Sequence, residues 1–264
     1  MYDAFPDLPA IYDSVPVYVN RRDVQFYVDE ARNAGGSVLE VGCGTGRILL
    51  PIARSGHIID GVDASPQMLE RCAAKLRAES DAVRGRVTLH EADARSFDLG
   101  RRFELVIAPF RVVQHLTTTD AQLGFLDSVA RHIAPGGRLV FDVFNPHLAA
   151  LVSADGKERE DTPDTPLKDG RSFRRAFRVS RVRWIDQVSE VELIYYVSSA
   201  QGGKVQRYVQ SFDMRWFLRA ELVHLLARAG FRVSSIYGDF DRSPLTDSSP
   251  EQVVCAERVT AVAT

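Results

Sequence analysis

The chain has 264 residues, 45% of them hydrophobic and 26% charged, with a formal net charge of −2. That length buries a sizeable core without staples, the near-neutral balance gives no global pull toward nucleic acid or anionic membrane, and no apolar run approaches the ~18 residues of a membrane helix. Three widely spaced cysteines, Cys43, Cys72 and Cys255, form neither a disulfide framework nor a zinc pattern, and no metal is expected. A cytoplasmic protein is expected, since the N-terminus lacks a basic-then-apolar leader.

The first predicted element is a helix over 23–33, with Val24, Phe26, Tyr27, Val28 and Ala31 on its apolar face and Gly35-Gly36 as its stop. Val38–Val41 is a short buried strand, followed by Gly42-Cys43-Gly44-Thr45-Gly46 and a helical stretch through Ala53. A second strand ends at Asp63, and Ser65-Pro66 reads as an N-cap and first helical position for a helix over 67–78. Strands ending at Asp93 and at Ala108 follow. Thr119 and Gln122 have capping-box spacing at the head of a helix to about Ile133. Pro135-Gly136-Gly137 then precedes a fifth strand over 138–144. This alternation predicts a largely parallel sheet with helices on both faces. Its ligand edge is the carboxyl end of the strands.

Beyond Pro146 the pattern changes. Residues 147–170 read as loop. The runs 172–184, 188–197 and 205–212 read as an antiparallel meander, turning at 185–187 and at 200–203. A helix over 219–230 and strands at 231–237 and 251–259 complete the chain. The expected organisation is a single domain over 1–264: an N-terminal lid and helix (1–35), a core (36–146), a β-rich insertion (147–213) and a closing helix and strand pair (214–264).

Three glycines in five positions behind a buried strand need an explanation, because each weakens regular structure by about 0.5–1 kcal/mol relative to alanine. A dinucleotide fingerprint wants G-x-G-x-x-G, but Arg47 stands at its last glycine position; a P-loop wants a lysine that is absent. Glu40-Val41-Gly42-Cys43-Gly44-Thr45-Gly46 resembles motif I of the class I S-adenosylmethionine-dependent methyltransferases, acidic-x-G-x-G-x-G, in every specified place. Asp63, Ala92-Asp93-Ala94, Pro135-Gly136-Gly137 and the turn from Leu226 to Phe231 resemble later family features in the family's order.

The resemblance implies a Rossmann-like α/β fold of seven mostly parallel strands, the last antiparallel, with an antiparallel β insertion before the last helix. It implies S-adenosylmethionine as cofactor and S-adenosylhomocysteine as product. It also implies methyl transfer to an O or N atom of a small-molecule acceptor, with a monomer or homodimer both open. In that reading Asp63 takes the ribose hydroxyls, Asp93 and Ala94 lie at the adenine amino group, and Ala64 and Met68 flank the base. The amides of Gly42, Cys43, Gly44 and Gly46 face the cofactor carboxylate and Glu40 assists its ammonium. Tyr18 and Arg22 from the lid, and Pro109, complete the cofactor set.

Phe110, Arg111 and Gln114 are the expected acceptor pocket, and His115, with its near-neutral pKa, the candidate base. Ala108-Pro109-Phe110-Arg111 lacks the polar first residue of enzymes that methylate exocyclic base amines. Each assignment has a structural rival. The glycines can simply permit close packing, Asp63 and Asp93 can be turn residues, Met68 can be core filler, and His115 can be a packed or capping histidine. The insertion's arginines read as ion-paired. A non-catalytic S-adenosylmethionine/S-adenosylhomocysteine-binding protein and a nicotinamide-dependent oxidoreductase are the alternative functions.

Overall fold

A computed structural model describes residues 5, 7–200 and 204–259; the expected turn at 200–203 lies largely outside them. The helices are α1 (Leu8–Tyr12), α2 (Pro16–Val19), α3 (Asp23–Ala34), α4 (Leu49–Arg54), α5 (Pro66–Arg77), α6 (Asp81–Arg84), α7 (Thr119–His132), α8 (Leu148–Val152) and α9 (Arg219–Arg228). The strands are β1 (Val38–Val41), β2 (Ile59–Asp63), β3 (Val87–Glu91), β4 (Phe103–Ala108), β5 (Ile133–Phe144), β6 (Arg159–Pro166), β7 (Ser172–Arg183), β8 (Val188–Ser198), β9 (Gln206–Arg215), β10 (Phe231–Tyr237) and β11 (Glu251–Arg258). A 3-10 turn, Val112–His115, follows β4. These elements divide into two compact units: Arg22–Pro146 with the residues from Trp216 onward, and the residues through Arg21 with His147–Arg215.

The larger unit is built on a seven-stranded sheet of order β10-β11-β5-β4-β1-β2-β3. Every pair is parallel except those of β11, which runs against both β5 and β10. Successive residues of β4 supply opposite faces: Val106 joins a cluster with Phe125, Val129 and Phe141, while Leu105 and Ile107 join one with Phe26, Ala31 and Ile52. Burial on both sides explains the continuous apolar strands. β1 lies between β2 and β4, so the chain reverses its direction of travel across the sheet at the β1/β4 boundary. Ligands of open α/β sheets bind at that boundary. As expected, Gly35 (φ 68°) ends α3 by donating its amide to Ala31, and Ser65 caps α5.

Two local readings change. The cap of α7 is Thr118, whose hydroxyl accepts the Ala121 amide at 3.2 Å; Gln122 instead donates to the Leu116 carbonyl at 2.9 Å. With three threonines in a row, the side chain that reaches an open amide is chosen by backbone direction, which spacing does not show.

The second change is in the smaller unit, a four-stranded antiparallel sheet of order β6-β7-β8-β9. β6, like the short helix α8 before it, falls in the stretch expected to be loop. Its acidic and proline-rich composition disguises it, but it is an edge strand, interrupted by two register shifts on β7, where Pro163 is tolerated. On this sheet Phe5, Leu8, Ile11 and Val15 pack with Phe173, Tyr195 and Val197. Arg175 is buried among them. It donates to both carboxylate oxygens of Asp161 at 2.9 Å, and to the Tyr18 hydroxyl at 2.5 Å.

Candidate active site

Gly42, Gly44 and Gly46 have φ of 75°, 53° and 81°, a region costly for side-chain-bearing residues. Packing adds a second demand. A Cβ on Gly42 would fall 2.4 Å from Val112 Cγ2, and one on Gly46 would fall 2.6 Å from Cys72 Sγ. At Gly44 the nearest atom is Met68 Cε, at 3.4 Å. Two of the glycines therefore serve close packing as well as the turn.

The amides of this turn have partners within the protein. Those of Gly42 and Cys43 donate to the Val62 carbonyl at 2.7 and 3.0 Å, and that of Gly46 donates to Cys43. The Gly44 amide donates to Asp63 Oδ2 at 2.8 Å. This differs from the expectation of amides presented to a ligand carboxylate: the bend anchors itself to the end of β2. The Cys43 side chain is buried against the strands rather than turned to a ligand, and burial pushes its thiol up.

Two carboxylates flank the turn. Glu40, on β1, is 2% exposed, and among the described residues its Oε2 has no hydrogen-bond partner. Burial holds its carboxyl well above the usual range, against the opposing pull of Arg47. Asp63 accepts the Ser65 amide on Oδ1 at 2.9 Å in addition to the Gly44 amide. Burial raises its pKa, and the amide bonds of Ser65, Gly44 and Ala64 oppose that rise. A carboxylate oxygen has room for more than one donor, so Asp63 can accept further hydroxyls. A buried acid with an unfilled oxygen beside a second carboxylate suits a ligand with a cationic end and neighbouring hydroxyls.

Met68, in the first turn of α5, is buried, and Ala64, just before the Ser65 cap, is exposed. Asp93 and Ala94 follow β3, whose end is tied to β2 by the Ala92 amide donating to Asp63 O at 3.1 Å. The Asp93 carboxylate accepts the amide and guanidinium of Arg95, chiefly the guanidinium, which holds its pKa below the usual range.

After β4, Pro109 is buried. Phe110 and Arg111 then adopt φ of 59° and 67°. Two consecutive left-handed residues with side chains are strained, at about 1–3 kcal/mol each. The Phe110 amide donates to Asp142 Oδ1 at 2.8 Å, and Arg111 pairs with Glu251 at 2.9 Å.

Gln114, expected in the acceptor pocket, is wholly buried and accepts the Phe144 amide at 2.9 Å, so it braces β5 instead. His115 is half-buried at the end of the 3-10 turn. Arg22 is exposed before α3. Tyr18 belongs to the smaller unit, bonded to Arg175.

Sequence reasoning passed over Asp23, Tyr27 and Asp142. Asp23 grips Arg47 with both oxygens, and Tyr27 donates its hydroxyl to Asp142 at 2.7 Å. The signals present were acids at a helix start and inside an apolar strand.

Among the described residues no group of three or more His, Cys, Asp or Glu is placed to hold a metal ion, and no helix is long and apolar enough to cross a membrane. The family model described as a methyltransferase domain matches residues 38–137. The chain is 29% identical to the dTDP-3-amino-3,4,6-trideoxy-α-D-glucopyranose N,N-dimethyltransferase of Streptomyces venezuelae, over 82% of this chain and 84% of that one. It is 36% identical to a ubiquinone biosynthesis O-methyltransferase of a Bradyrhizobium species, over 46% of this chain and 45% of the relative. Among solved structures, the sugar N-methyltransferase KedS8 from a Streptoalloteichus species superposes with a TM-score of 0.68 at 27% identity, covering 90% of this chain and 85% of that one.

Proposed function

From the premise that the chain belongs to the class I S-adenosylmethionine-dependent methyltransferases, we propose that it methylates an amino nitrogen on a sugar-like small molecule. The observation that carries the choice of acceptor is the extent of likeness. The amino-sugar N,N-dimethyltransferase aligns with most of the chain, whereas the O-methyltransferase aligns with less than half of it. A relative that shares more than the cofactor core is the better guide to the acceptor.

Bound at the carboxyl ends of β1, β2 and β3, S-adenosylmethionine supplies a methyl group on a sulfonium that leaves readily. In this reading Glu40 balances its ammonium, Asp63 accepts its ribose hydroxyls and Asp93 meets the adenine amino group. Ala64 and Met68 flank the base. Hydrogen bonds to such charged acceptors contribute about 1.5–3 kcal/mol each.

Displacement at carbon requires an in-line nucleophile and little acid–base machinery, so orientation and exclusion of water carry much of the acceleration. Phe110 and Arg111 are the proposed acceptor contacts. An amine attacks through a neutral lone pair and must shed a proton; His115 is the proposed acceptor of that proton.

The test is transfer of labelled methyl from S-adenosylmethionine to dTDP-3-amino-3,4,6-trideoxyglucose and, in parallel, to a metabolite extract. Label on an amine nitrogen supports the reading. Label found only on oxygen overturns the acceptor class, and cofactor binding without any transfer favours a non-catalytic binding protein.

A further inference from the structure

Asp23 and Tyr27 stand four residues apart on α3 and so share one helix face. Asp23 has a wholly buried side chain and meets Arg47 in two parallel bonds, Nη1 to Oδ1 at 2.5 Å and Nη2 to Oδ2 at 2.6 Å. A two-pronged pair of this kind fixes the plane of the guanidinium as well as its place. Arg47 directly follows Gly46, so the grip sets the exit of the glycine turn.

Tyr27 works at the other side of the β1/β4 boundary. Its hydroxyl donates to Asp142 Oδ1 at 2.7 Å, and the same oxygen accepts the Phe110 amide at 2.8 Å. Phe110 begins the strained pair, and strained backbone persists only where its surroundings over-determine it. Asp142 supplies that constraint, and Tyr27 holds Asp142. The Arg47 guanidinium lies 5.0 Å from the centre of the Phe110 ring and closes the circuit.

Tyr27, Asp23 and Asp142 are all 0% exposed. Burying two carboxylates is costly unless each is matched, and apolar side chains would fill the same space without that cost. The polar network is therefore better explained by what it positions than by packing.

We propose that Asp23 and Tyr27 are a positioning pair that holds the Arg47 guanidinium and the Phe110 backbone as two walls of the cofactor cleft. This rests on the cofactor reading given above. Neither residue is assigned a contact with the ligand; each acts through the group it holds.

Calorimetric titration of the full chain with S-adenosylhomocysteine tests the pair without an acceptor. Tyr27→Phe and Asp23→Asn are each expected to weaken binding by at least about fivefold. Amide hydrogen exchange of the ligand-free protein is expected to show Phe110 exchanging faster in Tyr27→Phe. A purely structural role would lower the melting temperature while leaving the affinity of the folded protein and the Phe110 amide unchanged. Arg47→Lys keeps the charge and loses the two-pronged geometry, and provides a second route if an α3 variant folds poorly. It is expected to match Asp23→Asn, and the double variant to be no weaker than either single one. Additive losses, or affinities within twofold of the parent, overturn the proposal alone. A parent chain that binds no S-adenosylhomocysteine removes the cofactor reading itself.

Discussion

The two units match charge in different ways. In the insertion, Arg175 is met by Asp161, Arg178 by Glu192, Arg183 by Glu190 and Asp213, and Arg207 by Glu158. In the core, near the carboxyl end of β1, a buried acid is left incomplete: among the described residues Glu40 Oε2 has no hydrogen-bond partner. Matched charge holds a fold in register. An unfilled buried carboxylate costs free energy in the empty protein and recovers it when a cation arrives. The contrast sets Glu40 apart from the paired arginines of the insertion.

The largest effect is expected where matched charge is broken. Arg175→Ala leaves Asp161 without its partner inside the insertion and should lower unfolding free energy by about 3–5 kcal/mol, read by chemical denaturation. An unmoved transition would place Arg175 with the dispensable pairs. Next comes His115→Ala. Loss of a proton acceptor should slow turnover about a hundredfold while cofactor affinity holds, and equal loss of both would remove the base assignment. Asp63→Ala should weaken S-adenosylmethionine binding at least about tenfold, or about 1.4 kcal/mol; unchanged affinity would sink the ribose role.

The incomplete charge also predicts a pH dependence. The Glu40 carboxyl is raised by burial, opposed by Arg47 and reinforced by Asp23 and Asp63. The folded protein therefore retains a proton that the unfolded chain has lost, so Glu40 destabilises the fold increasingly as pH rises above the ordinary carboxylate range. Asp63 contributes in the same direction. A cationic ligand favours ionised Glu40, so binding should release protons below the raised pKa and tighten as pH rises there. Calorimetry in buffers of different ionisation heat measures this, and Glu40→Gln should abolish most of the release. The smallest effect belongs to a half-exposed pair: Arg178→Ala should barely move the unfolding midpoint, and a large shift would erase the distinction between the units.

Much of this molecule was legible in residue order. The strand and helix alternation, the glycine bend, the cap at Ser65 and the reversed last strand implied by the family likeness all appear in the structure. Such features have local causes, such as burial periodicity, a preference for positive φ and a serine before a proline. β6 escaped because its prolines and acids suit an edge strand, and being at an edge is a property of the assembled sheet. Gln114 was expected in the acceptor pocket, yet its side chain turns into the protein to brace Phe144.

What the residue order determined, then, is the scaffold and the glycine bend, because backbone preferences and apolar periodicity act over a few residues at a time. Tertiary structure alone decided which polar atoms are already matched. Gly44 meets Asp63 across 19 positions, Arg47 meets Asp23 across 24, and Tyr27 meets Asp142 across 115. Hydrogen bonds are short and directional, so partners this distant in the chain become visible only once the sheet has brought its strand ends together.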